Sequence, residues 1–186
     1  MEDSIRQLIN ECSRGNRQAQ VALYRMYAKR LYNVCLRIIG NPADAEEAMQ
    51  DTFLKVFTKI SQYHYELSFE AWMKTIAVRT AIDHLRQMQP DWDELPENFV
   101  LAEEETDDWE AVELSVAAVK EGIKQLATGF RVILSLYLFE GYDMEEISSI
   151  LHIQPASARS QYLRGKKKLL DIIERKKHGS IEGFHR

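Results

Sequence analysis

Between Pro155 and Leu170 the chain reads PASARSQYLRGKKKLL, and five of its side chains share one kind of chemistry. Arg159, Gln161 and Arg164 carry two-pronged hydrogen-bonding groups that match guanine or adenine edges in a DNA major groove. Ser157 and Ser160 suit phosphate oxygens or short base contacts. Lys166, Lys167 and Lys168, then Arg175, Lys176 and Lys177, supply positive charge that neutralises a phosphate backbone. No comparable set for making or breaking bonds is present. The chain has no HExxH, no Glu-x-x-His pair for two metals, no phosphate-binding glycine loop and no nucleophile elbow. Its five histidines, His64, His84, His152, His178 and His185, are scattered. The expectation is a binding protein, not an enzyme, with no cofactor, metal or small-molecule substrate.

These groups need two helices to present them. The pattern MEEISSIL predicts a short helix with Asp143 as its N-cap. HIQ is a turn, and Pro155 or Ala156 opens a last helix that runs to about 177. Together they form a helix-turn-helix, whose second helix enters the groove. Ile147, Ile150 and Leu151 bury the first helix, and Ile153 fills the junction. Ala158 and Tyr162 hold the second helix, leaving Ser157, Arg159, Ser160, Gln161 and Arg164 facing outward. Two short helices with a basic face also occur as plain bundle parts, and terminal lysines also complement a helix dipole.

The rest of the chain reads as helices too, so the fold class is all-α. Helical periodicity covers 4–13, 17–39, 42 to about 60, and 69 to about 87. Leu8, Ile9 and Cys12 share a face of the first. Val21, Leu23, Tyr24, Tyr27, Leu31, Val34, Leu36 and Ile38 form a broad apolar stripe on the second. Gly15-Asn16 and Gly40-Asn41-Pro42 stop one helix and start the next, and Ser68 caps the fourth. After 110 the periodicity returns, with a helix ending at Ala127-Thr128-Gly129 and an apolar one over 130–140, closed by Gly141.

The formal net charge of -5 is unevenly spread. Residues 87–113 hold eleven acids and no Lys or Arg, whereas both flanks are mildly basic. With Pro90 and Pro96 and little periodicity, this segment is an expected linker, along which Trp92, Phe99 and Trp109 dock locally. Two helical domains therefore flank an acidic linker: 1–88, then 89–110, then 111–177, with 178–186 a frayed tail. Cys12 and Cys35 lack metal spacing and read as reduced core thiols. Neither a basic-then-apolar leader nor a long apolar run is seen, which leads to the expectation of a cytoplasmic protein.

LATGFRVILSLYLFEGYDMEEISSILHIQPASARSQYLRGKKKLL resembles region 4 of extracytoplasmic-function sigma factors of the sigma-70 family. The likeness rests on Leu126, Arg131, Glu140, Gly141, Tyr142, Glu146 and Ile147, then Ser157, Arg159, Ser160, Arg164, Gly165 and Lys166. NPADAEEAMQDTFLKVF resembles region 2.2, through Asp44, Ala45, Glu46, Gln50, Asp51, Phe53 and Leu54. FEAWMKTIAVRTAIDHLR resembles the promoter-melting helix that follows, through Phe69, Trp72, Ala77, Ala81, Asp83 and Arg86. The three blocks stand in the family's order.

The resemblance implies an alternative sigma factor. Such a protein binds RNA polymerase core, through a coiled coil of the largest subunit and the flap of the second-largest, and directs it to promoter DNA. An anti-sigma factor is a further expected partner. For core binding it implies Asp44, Glu47, Gln50, Asp51, Phe53 and Leu54. Phe53 and Phe57 are either partner anchors or core residues, and Gln50 and Asp51 are the stronger contact candidates. For the -10 element it implies Tyr63, His64, Tyr65 and Phe69 as receivers of an unstacked base. Lys74, Arg79, Asp83 and Arg86 join them, with Trp72 a packing residue. For the -35 element it implies Arg131, Ser157, Arg159, Ser160, Gln161, Arg164, Lys166 and Lys167. The acidic linker is either a solvated spacer or a mimic of nucleic acid. Arg79 stands where the family usually has Asn, Ala127 where Pro is common, and Gln161 where Arg is common. The competing reading is a stand-alone helix-turn-helix regulator, which has no need of the DAEEAMQDTF block.

Overall fold

The computed structural model describes residues 2–90 and 115–182, with side chains from 4 to 90 and from 115 to 176. Residues 91–114, which hold the acids of the expected linker, its three aromatics and the expected helix start near 110, lie outside the described residues. The chain divides into two compact units, one up to Pro90 and the other from Asp91 on.

The first unit holds four helices: α1 (Glu2–Ser13), α2 (Arg17–Ile39), α3 (Pro42–Lys59) and α4 (Phe69–Met88). Their ends are set locally. Asn16 Oδ1 accepts from the backbone N–H of Gln18 (2.9 Å) and Ala19 (3.2 Å), which starts α2. Asn41 Oδ1 does the same for Ala43 and Asp44 on α3, at 2.8 and 3.3 Å. Each such cap is worth about 1 kcal/mol. Gly40 ends α2 with φ 84°, a left-handed conformation that any Cβ would strain. A short 3-10 turn, Ile60–Gln62, leads into the 63–68 loop.

Helices α2, α3 and α4 pack on one another, and α1 packs on α2 and the 3-10 turn. The core stripe of α2 is narrower than its apolar composition suggests. Ala19, Leu23, Tyr27, Leu31, Val34, Cys35 and Ile38 are buried, whereas Val21 and Tyr24 lie outside. A spacing of three and four residues keeps the first set on one side, and Val21 and Tyr24 fall off it. Met73, Ala77, Val78, Ala81 and Leu85 of α4 close the core from the opposite side.

The second unit holds α5 (Val116–Ile123), α6 (Thr128–Leu138), α7 (Met144–Leu151) and α8 (Pro155–Glu182). Helix α6 is buried on nearly all sides, from Gly129 to Leu136, and packs along α8. Close approach is set by glycine: a Cβ on Gly165 of α8 would lie 3.2 Å from Phe130 Cβ. Helix α8 runs on to Glu182, past the end expected near 177 and into the segment expected to fray. Nothing in the sequence between Lys176 and Glu182 breaks it except Gly179, and one glycine in a helix costs only about 1 kcal/mol.

Candidate nucleic-acid and polymerase interfaces

The helix-turn-helix is built as the pattern requires. Asp143 and Glu146 form a reciprocal capping box. Asp143 Oδ1 accepts from the Glu146 N–H at 2.8 Å, and Glu146 Oε2 accepts from the Asp143 N–H at 2.9 Å. Ile147 and Leu151 of α7 are buried, and Ile150 and Ile153 are half-buried. His152 turns the chain with φ 57° and ψ 39°, in the left-handed region. Ala158, Tyr162, Gly165, Leu169 and Ile173 fix α8 against α6 and α7.

That stripe decides which side chains reach out. Ser157, Arg159 and Lys167 are exposed, and Ser160 and Arg164 are half-buried. Gln161 and Lys166, expected on the DNA side, are buried, at 9% and 6% exposure. Gln161 stands three residues after Ala158 and four before Gly165, and Lys166 four after Tyr162 and three before Leu169. Both flank that stripe, and the helices packed on α8 cover them, although Lys166 lies two turns after the exposed Arg159 in nearly the same sector. Lys168 lies over the Phe130 ring, 5.0 Å from its centroid. Arg131 is half-buried in the first turn of α6, where its guanidinium donates to Thr128 Oγ1 at 3.3 Å, and burial lowers its pKa from the ordinary value. Arg175 and Lys176 are exposed.

On α3, Glu47, Gln50 and Leu54 recur every three or four residues and are all exposed. Leu54 is 66% exposed. Asp51 borders this stripe and is half-buried, as is Asp44 in the first turn. Phe53, also expected at the partner surface, is 3% exposed. Its ring lies 4.7 Å from that of Tyr24 and 5.9 Å from that of Phe57. It falls on the Met49, Thr52 and Val56 side of the helix, which α2 and α4 cover. Leu54, one residue on, turns by about 100° and faces out.

The 63–69 segment separates into a buried and an open part. Tyr63 and Phe69, expected to receive a base, are 9% and 5% exposed. They form an aromatic cluster with Trp72: Tyr63 lies 5.1 Å from Phe69 and 5.4 Å from Trp72. The Tyr63 hydroxyl donates to the Leu67 carbonyl at 2.5 Å, and burial raises its pKa. These rings shape the loop from below because they complete the unit's own core. His64, Tyr65 and Leu67 are exposed. On α4, Arg79, Asp83 and Arg86 share one stripe by their spacing, while Lys74 falls well away from it. Arg79 and Asp83 are exposed, and Arg86 and Lys74 are half-buried.

Two links between α3 and α4 carry no sequence signal. His84 Nε2 lies 2.8 Å from Asp51 Oδ2. Lys55 Nζ donates to Thr80 Oγ1 at 3.1 Å and sits 3.8 Å from Asp83 Oδ2. Two residues proposed for different partners, Asp51 and Asp83, are thus both tied into the same helix pair. Among the described residues no cluster of His, Cys, Asp or Glu could hold a metal ion, and no helix is long and apolar enough to cross a membrane.

Comparison with known proteins matches each unit separately. Residues 23–90 match the model for Sigma-70 region 2, and residues 114–169 match the model for Sigma-70, region 4. The chain is 24% identical to the ECF RNA polymerase sigma factor SigW of Bacillus subtilis (strain 168), over 91% of this chain and 96% of that protein. It is 25% identical to the RNA polymerase sigma-H factor of Pseudomonas aeruginosa, over 89% of this chain and 92% of that protein. Among the solved structures that share the fold are two chains held in complexes. One is the sigma factor RpoE with the anti-sigma factor NepR from Bartonella quintana, with TM-score 0.54, 16% identity, and coverage of 82% of this chain and 95% of that one. The other is CnrH with the cytosolic domain of CnrY, with TM-score 0.52, 20% identity, and coverage of 91% and 96%.

Proposed function

We infer the division of labour in this molecule from one premise: the chain belongs to the extracytoplasmic-function sigma factors of the sigma-70 family. It is an alternative sigma factor that directs promoter-specific transcription, and it acts as an initiation factor rather than an enzyme. Its partners are RNA polymerase core and promoter DNA in the cytoplasm, with an anti-sigma factor as regulator. A stand-alone regulator would account for the second unit and leave residues 23–90 unexplained.

Residues 1–88 are the part that binds core and opens the -10 element. Residues 89–110 connect, and 111–177 read the -35 element and meet the polymerase flap. Within the first part, Glu47, Gln50, Asp51 and Leu54 of α3 meet the coiled coil of the largest subunit, with Asp44 at their N-terminal edge. Leu54 is the apolar anchor and the others supply polar register. His64 and Tyr65 meet the unpaired -10 strand, and Arg79, Asp83 and Arg86 line its path along α4. Tyr63 and Phe69 support that surface from within, and Lys74 contributes charge from another side. In the second part, Ser157, Arg159, Ser160 and Arg164 approach the -35 groove, while Lys167 and Arg131 hold phosphates. Gln161 and Lys166 act as packing residues.

The observation that carries this reading is the exposed stripe of Glu47, Gln50 and Leu54 on α3, inside the stretch that matches Sigma-70 region 2. Gel filtration of the chain with purified core, alongside Leu54→Arg and Asp51→Arg, tests it. Co-elution that both variants lose supports the assignment. Co-elution that both retain removes α3 from the interface.

A further inference from the structure

Tyr65 is one of two non-glycine residues among those described with a left-handed backbone, at φ 61°. An aromatic residue rarely adopts that conformation without help, and surrounding structure must hold it. Two contacts do so. The Tyr63 ring lies 4.6 Å from that of Tyr65, and the Arg6 guanidinium carbon lies 5.3 Å from the Tyr65 ring centroid. Arg6 belongs to α1, ahead of the stretch that matches region 2. Between α1 and the loop lies an open cleft of about 490 Å³, lined by Arg6, Tyr27, Tyr63, Tyr65 and Phe69 among others. Glu66 and Glu70 line it as well, so the cleft is not net positive, and it is the aromatic walls that suit an unstacked nucleobase.

We propose that Arg6 is a positioning residue for -10 recognition: its stack on Tyr65 holds the 63–67 loop in the shape that receives an unpaired base. This rests on the reading of His64 and Tyr65 as the -10 surface. The ligand class is single-stranded DNA with at least one unstacked base. The physical content is preorganisation. Without the guanidinium, Tyr65 relaxes toward ordinary backbone angles, and binding must then restore the left-handed form. Helix α1 thereby becomes part of the promoter-opening apparatus, although it carries none of the residues that define the family's blocks.

The test uses holoenzyme reconstituted with core. The probe is a fork-junction DNA whose single-stranded segment has been selected from a random pool by the wild-type holoenzyme, with 2-aminopurine replacing one adenine there. Arg6→Ala is expected to weaken fork binding by about two- to fivefold, the size of an exposed cation–π contact. It should reduce the 2-aminopurine signal change, leave core binding unaltered, and lower thermal stability by no more than that one contact is worth. Arg6→Lys should recover part of the loss. In a Tyr65→Ala background, Arg6→Ala should add nothing. If Tyr65→Ala weakens fork binding and Arg6→Ala does not, the -10 surface stands and the role of Arg6 is overturned. If Arg6→Ala is as harmful without Tyr65 as with it, Arg6 acts on DNA directly and the positioning role is overturned. If neither variant matters, the -10 reading of this loop falls, and the inference with it.

Discussion

His84 Nε2 lies 2.8 Å from Asp51 Oδ2, joining α4 to α3 across 33 positions of sequence. His84 is mostly buried, with 13% of its side chain exposed, and Asp51 is 45% exposed. The imidazole therefore fixes the carboxylate from the protein side while the carboxylate's outer side remains open. A residue proposed to meet polymerase core is held by one that belongs to the helix proposed to meet DNA.

That arrangement makes His84→Ala a weaker copy of Asp51→Arg. The alanine variant should bind core several-fold less tightly, roughly the 0.5–1.5 kcal/mol of one hydrogen bond, by positioning alone. Asp51→Arg should abolish co-elution. Titration with labelled core measures both. Full affinity in His84→Ala would show that Asp51 needs no support.

Arg159 is exposed on the first turns of α8, beside the turn that delivers the helix. Arg159→Ala should weaken -35 duplex binding by the holoenzyme by about 1–3 kcal/mol and relax preference at one base pair. Gln161→Ala should leave the sequence preference alone and act on stability, because its side chain faces the core. Mobility-shift competition with single-base variants separates the two. A changed base preference in Gln161→Ala would reverse the assignment made from burial.

Helix packing makes Gly165 a sensitive site. Phe130 Cβ and Leu134 Cδ1 both lie 3.2 Å from where a Cβ would stand. Gly165→Leu should lower the stability of the second unit by about 1–3 kcal/mol through overpacking, read as a lower urea midpoint. An unchanged midpoint would mean that α6 and α8 separate easily.

The turn offers the opposite change. His152 holds φ 57°. His152→Gly should raise stability by about 0.5–1 kcal/mol, because the left-handed penalty exceeds the entropy a glycine adds. Asp143→Ala, which removes the capping box, should lower it by about 1 kcal/mol. Thermal unfolding of the two variants should move in opposite directions.

Cys12 is buried, and burial first, then the Glu11 charge, raises its thiol pKa. A raised folded pKa means that its contribution to stability is complete below the unfolded thiol's pKa of about 8.5 and is lost as pH rises through the folded value. Urea unfolding between pH 7 and 10 should show stability falling more steeply for the wild type than for Cys12→Val. Equal slopes would assign the alkaline loss to other groups.

Much of this molecule is readable in one dimension because the deciding interactions are local. Asn16, Asn41, Ser68 and Asp143 cap helices within three residues of themselves, and Gly40 ends one by its own φ. The helix-turn-helix and the stop at Gly15-Asn16 follow for the same reason. The sequence by itself determined the class, the order of the helices and the two-part division. It also determined the family, because three blocks in order are a linear signal. The tertiary structure alone decided which sector of each helix is covered. A helical period fixes the angle between two side chains, but only the neighbouring helix fixes which of them meets solvent. That is why Leu54 faces out and Phe53 faces in, and why Gln161 and Lys166 are covered while Arg159 is not. The pairings of Asp51 with His84 and of Arg6 with Tyr65 bring together residues with no common period, and only packing of the chain on itself produces them.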